Sequence, residues 1–405
     1  MEDKDKRIKT KFDGETDGET FVESSGENSL PVSVEPPAAN RAAETTASEK
    51  TDGNADGAEA AALKPQKRKR AANIFWNIFL VAVIAFGVLS LFGIVKEIDP
   101  QSGASFGEVM RGASPSFFAV LIIVVLLIMV FDVAKYCIIS KTVTGKVSLA
   151  ASAKTNFLGR YYDAVTPFAT GGQPMQIYYL STKGVSGGNS TAMVLIRYYS
   201  SIMCWILLGG AMMIFGAVNG VLDGVSGGTV LKITGWIGIG INLIIPVFVT
   251  LFLLLPKFMQ KLTEGVVKLG AKIKIVKDVE KTTARATKVV SDFKNSFKLM
   301  ATSPVKLILL ILVSLGESFL TFATPFFVMK AFSCNVDGML FTVMSLNVFA
   351  TFGVSFIPTP GNSGVVEGMG ALAFSAAAGA TLAWSVLAWR LSVFYLYILI
   401  GLCMT

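Results

Sequence analysis

Three uncharged stretches constrain this chain more than any motif does. Residues 74–95, 198–222 and 233–255 run for 22, 25 and 23 positions without an Asp, Glu, Lys or Arg. About 20 apolar residues cross a bilayer core as a helix, and soluble cores rarely need so long an uncharged run. The chain therefore reads as an all-α, polytopic membrane protein. Its composition agrees: 16% of the 405 residues are charged, against about a quarter in soluble proteins. The run 74–95 starts too far into the chain, and is too long, to be a cleaved signal peptide.

Residues 1–63 are polar and poor in large apolar side chains. They cannot bury enough surface to offset ordering entropy, and a disordered tail is predicted. A basic anchor over 64–72 follows, with Lys64, Lys67, Arg68, Lys69 and Arg70. Basic residues beside a first span hold it in the cytoplasm and attract anionic inner-leaflet lipids. A cytoplasmic N-terminus then orients the rest. Full spans are expected at 74–95, 116–140, 191–218, 233–255, 305–329 and 381–404, six in all. The loop 256–304 carries eleven Lys/Arg against four Asp/Glu between 257 and 298, a net of +7. It reads as cytoplasmic, and Leu262, Val266, Leu269 and Ile273 recur at a spacing that suits helices on the inner leaflet.

Two segments, 156–180 and 346–370, fit poorly as ordinary spans. Each has an apolar approach, a Pro/Gly-rich break and a short second apolar stretch. Proline removes an amide donor and glycine loosens a helix. In a bilayer, the freed backbone groups are tolerated only against protein or a water-filled cavity. Two re-entrant helical hairpins meet that condition. The breaks also match in position: Pro167 lies 30 residues before Arg197, and Pro358 lies 32 before Arg390. Ala192-Met-Val-Leu-Ile-Arg197 echoes Ser385-Val-Leu-Ala-Trp-Arg390. An inverted repeat is expected, with halves at about 73–222 and 233–405. Paired broken helices in such repeats mark a midplane substrate site.

The breaks carry a family resemblance. Thr166-Pro-Phe-Ala-Thr-Gly-Gly-Gln-Pro-Met-Gln176 and Ile357-Pro-Thr-Pro-Gly-Asn-Ser-Gly-Val-Val-Glu367 resemble the signature loops of the flippase-like transmembrane domain of lysylphosphatidylglycerol synthases. The likeness spans residues 73–404. Many relatives have an acidic residue and an arginine where this chain has Gln173 and Gln176. The resemblance implies that Pro167, Gly171, Gly172, Gln173, Pro174, Pro358, Pro360, Gly361, Asn362 and Gly364 form the re-entrant loops. Bifunctional members add a soluble aminoacyltransferase domain; this chain ends at Thr405, so that domain is expected to be absent.

Charged residues inside the apolar runs are the candidate substrate-binding set: Arg160, Asp163, Arg197, Glu317, Glu367 and Arg390. A carboxylate at bilayer depth costs on the order of 3 kcal/mol unless paired or hydrated. Glu317, mid-run, suits either an ion pair with another span or a lipid headgroup, and it is considered together with Arg390. Arg197 is shallower, and snorkelling accounts for it equally well. Glu367 falls three residues after Gly364, where a carboxylate caps a helix N-terminus. Arg160 and Asp163 flank the first break as a cytoplasmic vestibule. Asp132 and Lys135, three apart, are expected to pair with each other near the inner interface.

Arginines bind a phosphate bidentately, and the carboxylates suit a headgroup amine. The leading expectation, implied by the resemblance, is a multi-pass cell-membrane flippase-like translocator of phospholipid. Its substrate would include aminoacylated phosphatidylglycerol, and it would contribute to surface charge and cationic-peptide resistance. The alternative is a membrane component of phosphatidylglycerol lysyltransferase working with a separate aminoacyltransferase. A membrane scaffold recruiting a soluble partner through the basic loop is a third reading. Homodimerisation is compatible with each. No cofactor, metal or nucleic-acid partner is expected. Histidine is absent from the sequence, and Cys137, Cys204, Cys334 and Cys403 read as separate packing residues.

Overall fold

The computed structural model describes residues 104–405 apart from 167–168, 226, 256–260, 262–264, 266, 268, 270–277 and 360, together with 85, 89, 92 and 93. The tail 1–63, the anchor 64–72, most of the span 74–95, Pro167, Pro360, Leu262, Val266 and Ile273 lie outside the described residues.

The described residues are helical in chain order: α1 Phe106–Arg111, α2 Pro115–Val143, α3 Leu149–Val165, α4 Gly172–Thr182, α5 Gly187–Val218, α6 Gly228–Leu254, α7 Val279–Ala301, α8 Pro304–Ala331, α9 Leu340–Gly353, α10 Val365–Ala378, α11 Leu382–Arg390 and α12 Leu396–Met404. Five stretches are long and apolar enough to cross a membrane: α2, α5, most of α6, α8 and Val365–Met404. The last is not one rod, because Gly379 (φ 50°) turns the chain back between α10 and α11. Exposed Ile122, Ile123, Leu126 and Val130 on α2, with Ile244, Val247 and Phe248 on α6, present apolar surface outward. Such an exterior belongs in lipid rather than water. This is an all-α, multi-pass membrane protein.

Local sequence explains the helix starts. α2 and α8 both open on Ser-Pro, with Pro115 and Pro304 in the first turn, where the missing amide costs nothing. Ser148 and Ser186 cap α3 and α5 by accepting from Ala151 N–H (3.2 Å) and Asn189 N–H (3.3 Å).

The packing is paired and reversed. α2 and α8 lie antiparallel: Ser114 N–H donates to the Ala331 carbonyl at 2.8 Å, the Phe118 and Phe332 rings meet at 5.6 Å, and Phe131 lies against Gly316. The first hairpin, α3–α4, folds over a break where Gly172 N–H donates to Asp163 Oδ1 at 2.8 Å. The second, α9–α10, folds over 354–364 and brings Met369 against Gly353. Each hairpin then packs on a helix that follows the other hairpin in the chain. α3 runs antiparallel to α12, with Phe157 and Tyr397 rings 5.9 Å apart and Gly401 against Phe157 O and Tyr161. α9 runs antiparallel to α5, with Phe341 beside Phe215 at 6.0 Å, Ser345 against Gly216 and Phe352 against Gly209.

Within lipid, helices gain little from hydrophobic exclusion and associate through close contact at small residues. Gly238 is the tightest example: a Cβ there would collide with the carbonyl of Phe352 on α9.

The basic segment departs from a helix resting only on lipid. α7 packs on α5 and buries Phe293, Ser296 and Met300. Ser296 Oγ donates to Asn189 Oδ1 at 3.3 Å, and Phe297 meets Tyr199. Leu269, expected on the apolar face, is exposed.

Candidate functional site

Asp132 is the eighteenth residue of the 29-residue α2, and Glu317 the fourteenth of the 28-residue α8. Because the two helices are antiparallel, their charges meet inside the bundle. Asp132 is a hub. Its Oδ1 lies 2.9 Å from Lys135 Nζ and accepts from Arg197 Nη2 at 3.2 Å, while Oδ2 accepts from Arg160 Nη2 at 2.8 Å. Glu317 faces the same cations, with Oε2 at 3.4 Å from Lys135 Nζ and Oε1 at 3.6 Å from Arg160 Nη2. Lys135 also donates to Ser201 Oγ at 3.0 Å. Four helices therefore supply one network: α2, α3, α5 and α8.

Its exposure is graded. Asp132 and Lys135 are 0% exposed and Glu317 2%, whereas Arg197 retains 12% and Arg160 32%. Three cations contact two carboxylates directly, and the Asp163 carboxylate on the first hairpin lies within electrostatic reach of Arg160 and Arg197. The guanidiniums are held over aromatic faces, Arg160 over Tyr397 at 5.1 Å and Arg197 over Tyr136 at 5.8 Å. Several buried polar atoms around them have no hydrogen-bond partner among the described residues: both side-chain polar atoms of Asn156, the hydroxyls of Tyr136 and Tyr397, and Nε of Arg160 and Arg197. Buried polar atoms are normally satisfied, and such a group of them is the lining of a hydrated or ligand-binding space.

A second charged cluster sits at the second break. Glu367 accepts from Gly364 N–H at 2.7 Å and so caps α10. Its other oxygen accepts from Arg390 Nε at 2.8 Å and from Tyr395 Oη at 2.9 Å. Arg390 and Tyr395 are five residues apart. A regular α-helix would point them in different directions, but Leu391–Tyr395 is a π-helical turn whose i→i+5 bonding brings such positions onto one face. Arg390 also covers the Phe394 ring at 4.0 Å and reaches the Gly361 carbonyl at 3.5 Å.

The hairpin tips converge. Gly361 (φ 56°) packs so tightly that a Cβ would stand 3.0 Å from the Ala164 carbonyl of the first hairpin and press on Phe394. Next in sequence, Asn362 (φ 55°) has a buried Oδ1 and Ser363 a buried Oγ, each without a hydrogen-bond partner among the described residues. At the first tip Gly171 N–H donates to Thr166 Oγ1 at 2.9 Å, and Gln176 is buried against Gly159. Gln173 is half-buried, whereas Pro174 and Pro358 are exposed.

The structure thus gathers Arg160, Arg197 and Glu317 into one network and Glu367 with Arg390 into another. Asp163 binds the backbone of its own hairpin. Glu317 and Arg390 do not meet: Glu317 sits on the α2–α8 seam, while Arg390 is held at the second hairpin's cap. Asp132 and Lys135 do pair, but inside the network rather than as a local surface couple. Their importance was hidden because a three-residue spacing already explains a local pair. The signal that could have exposed it was their place within an otherwise apolar run. Tyr395, Tyr136 and Tyr397 gave no such signal, since polar aromatics are common in membrane proteins.

No curated protein matches the chain. A family model described as the lysylphosphatidylglycerol synthase TM region matches residues 67–401. That match takes in both hairpins and both charged clusters, and the chain belongs to this family of transmembrane regions.

Proposed function

We propose that the chain is a cell-membrane phospholipid translocator, with its N-terminus in the cytoplasm, that admits a lipid headgroup to the Asp132–Lys135–Arg160–Arg197–Glu317 network. One observation carries this reading: a buried cluster of three cations and two carboxylates, bordered by buried polar atoms without hydrogen-bond partners, in which Arg160 keeps 32% exposure. A phosphodiester suits the guanidiniums of Arg160 and Arg197, because a guanidinium binds it through two parallel hydrogen bonds. Glu317 offers a carboxylate to a headgroup amine, which favours aminoacylated phosphatidylglycerol. The touching hairpin tips provide non-helical backbone at the place where a polar headgroup crosses. Glu367 and Arg390, bound to each other, fix the second tip and act on substrate through its position.

The test is leaflet exchange of fluorescent phosphatidylglycerol and lysylphosphatidylglycerol in vesicles holding the purified protein. Arg160→Gln should lower exchange at least tenfold while thermal stability stays close to that of the unmutated chain, because Arg160 is the most exposed member. Unchanged exchange in a folded Arg160→Gln protein overturns the reading.

The family description names a synthase, and this favours a second reading, a membrane partner of a separate aminoacyltransferase. If the unmutated protein exchanges no lipid alone but supports lysyl transfer when that second chain is added, the synthase reading replaces the translocator.

A further inference from the structure

Away from the charged interior, α2 and α8 line a groove of about 280 Å³ at one end of their seam, formed by Cys137, Ile138, Lys141, Lys306 and Leu309. The antiparallel packing accounts for it. Lys141 is in the last turn of α2 and Lys306 in the first turn of α8, so two cations from distant parts of the chain stand at the same level. Between them the floor is made of Cys137, Ile138 and Leu309 side chains. Neither lysine has an ion-pair or hydrogen-bond partner among the described residues. Ser303 provides no side-chain cap to α8, so the open amides of its first turn add positive potential at the same mouth.

We propose that this groove is a fixed binding site for an anionic diacyl phospholipid, separate from the translocation site. The two lysines at the mouth take the headgroup phosphate, and one acyl chain lies over Cys137, Ile138 and Leu309. A net-neutral zwitterionic lipid fits this mouth less well, because its own ammonium is brought against two lysines. A soluble phosphate ester lacks the chain that the apolar floor accommodates. The lipid so held splints α2 to α8, the two helices that carry Asp132, Lys135 and Glu317.

Cys137 gives a direct readout. In a Cys204→Ser, Cys334→Ser, Cys403→Ser protein it is the sole thiol, and its alkylation by N-ethylmaleimide in detergent is followed with added lipid. Phosphatidylglycerol should slow the reaction, while phosphatidylcholine and glycerol 3-phosphate at equal concentration should not. In the added Lys141→Gln, Lys306→Gln background, the phosphatidylglycerol concentration for half protection should rise about 25-fold, about fivefold per lysine. Equal protection by phosphatidylcholine, or an unshifted midpoint in the lysine variant, overturns the proposal. Protection that grows with protein concentration in the absence of lipid also overturns it, and assigns the groove to a second copy of the chain. Should the cysteine-substituted protein fail to fold, native mass spectrometry of the otherwise unmutated chain decides. The Lys141→Gln, Lys306→Gln protein should retain one phosphatidylglycerol fewer than the parent, and equal retention overturns the site. Arg160→Gln should leave Cys137 protection unchanged, so failure of the translocation reading and failure of this one are distinguishable.

Discussion

Arg390 and Tyr395 converge on a single oxygen of Glu367, at 2.8 and 2.9 Å, although five residues separate them along the helix. The π-helical turn makes the convergence, and Glu367 in turn holds the amide of Gly364, the residue just before α10. Removing the hydroxyl with Tyr395→Phe should cost about 1–3 kcal/mol, the range for a hydrogen bond to a charged group. Arg390→Gln should cost about 3–5 kcal/mol, since it leaves a buried carboxylate without its cation. Thermal unfolding in detergent should rank them in that order. A larger loss for Tyr395→Phe than for Arg390→Gln would contradict the assignment of Arg390 as the main partner.

Asp132 receives three cations, so its neutralisation should be the most damaging single change in the interior. Asp132→Asn leaves Lys135, Arg160 and Arg197 facing Glu317 alone, with an expected loss of about 3–5 kcal/mol. A second change, Lys135→Met, removes one of the stranded charges and should recover part of the loss. Additive losses in the double variant would mean that the two side chains are not coupled.

A methyl group at position 238 has nowhere to go. Gly238→Ala places it against the Phe352 carbonyl, and backbone cannot swing aside as a side chain can. Overpacking of this kind costs about 1–3 kcal/mol. Gly240→Ala, two residues on and facing open space, is the control, and its melting temperature should match that of the unmutated protein.

The reversed packing of the two hairpins makes a labelling prediction. Single cysteines at Thr170 and Asn362, in a cysteine-free background, should react with membrane-impermeant reagents from the inside and the outside respectively, the first in inverted vesicles and the second in intact cells. Reaction of both from one face would be incompatible with the topology proposed here.

Much of this architecture is legible in the sequence because a bilayer leaves few alternatives. The apolar runs locate α2, α5, α6 and α8 to within a few residues, and the Ser-Pro pairs mark where α2 and α8 begin. Pro/Gly density finds both breaks, since a helix interrupted there must fold back or be shielded. What stays hidden depends on depth and direction. Asp132 and Lys135 look like neighbours satisfying each other until α8 is known to run antiparallel beside them. The π-helical turn has no Pro or Gly to announce it, and only the shared bond to Glu367 explains it. Glu317 and Arg390 look equally isolated in sequence, yet tertiary packing assigns them to different partners.

The crosswise arrangement of hairpins and final helices bears on how the protein is made. α3 finds its packing partner in α12, which leaves the ribosome only after α4 to α11 have been synthesised. Until then the first hairpin holds a proline-glycine break and Arg160 at the bilayer without the Tyr397 ring or Gly401 that eventually cover them. During synthesis the nascent chain must therefore shelter this hairpin against the insertion machinery or a chaperone. Arrival of α12, rather than insertion of the first hairpin itself, is the event that closes this part of the fold.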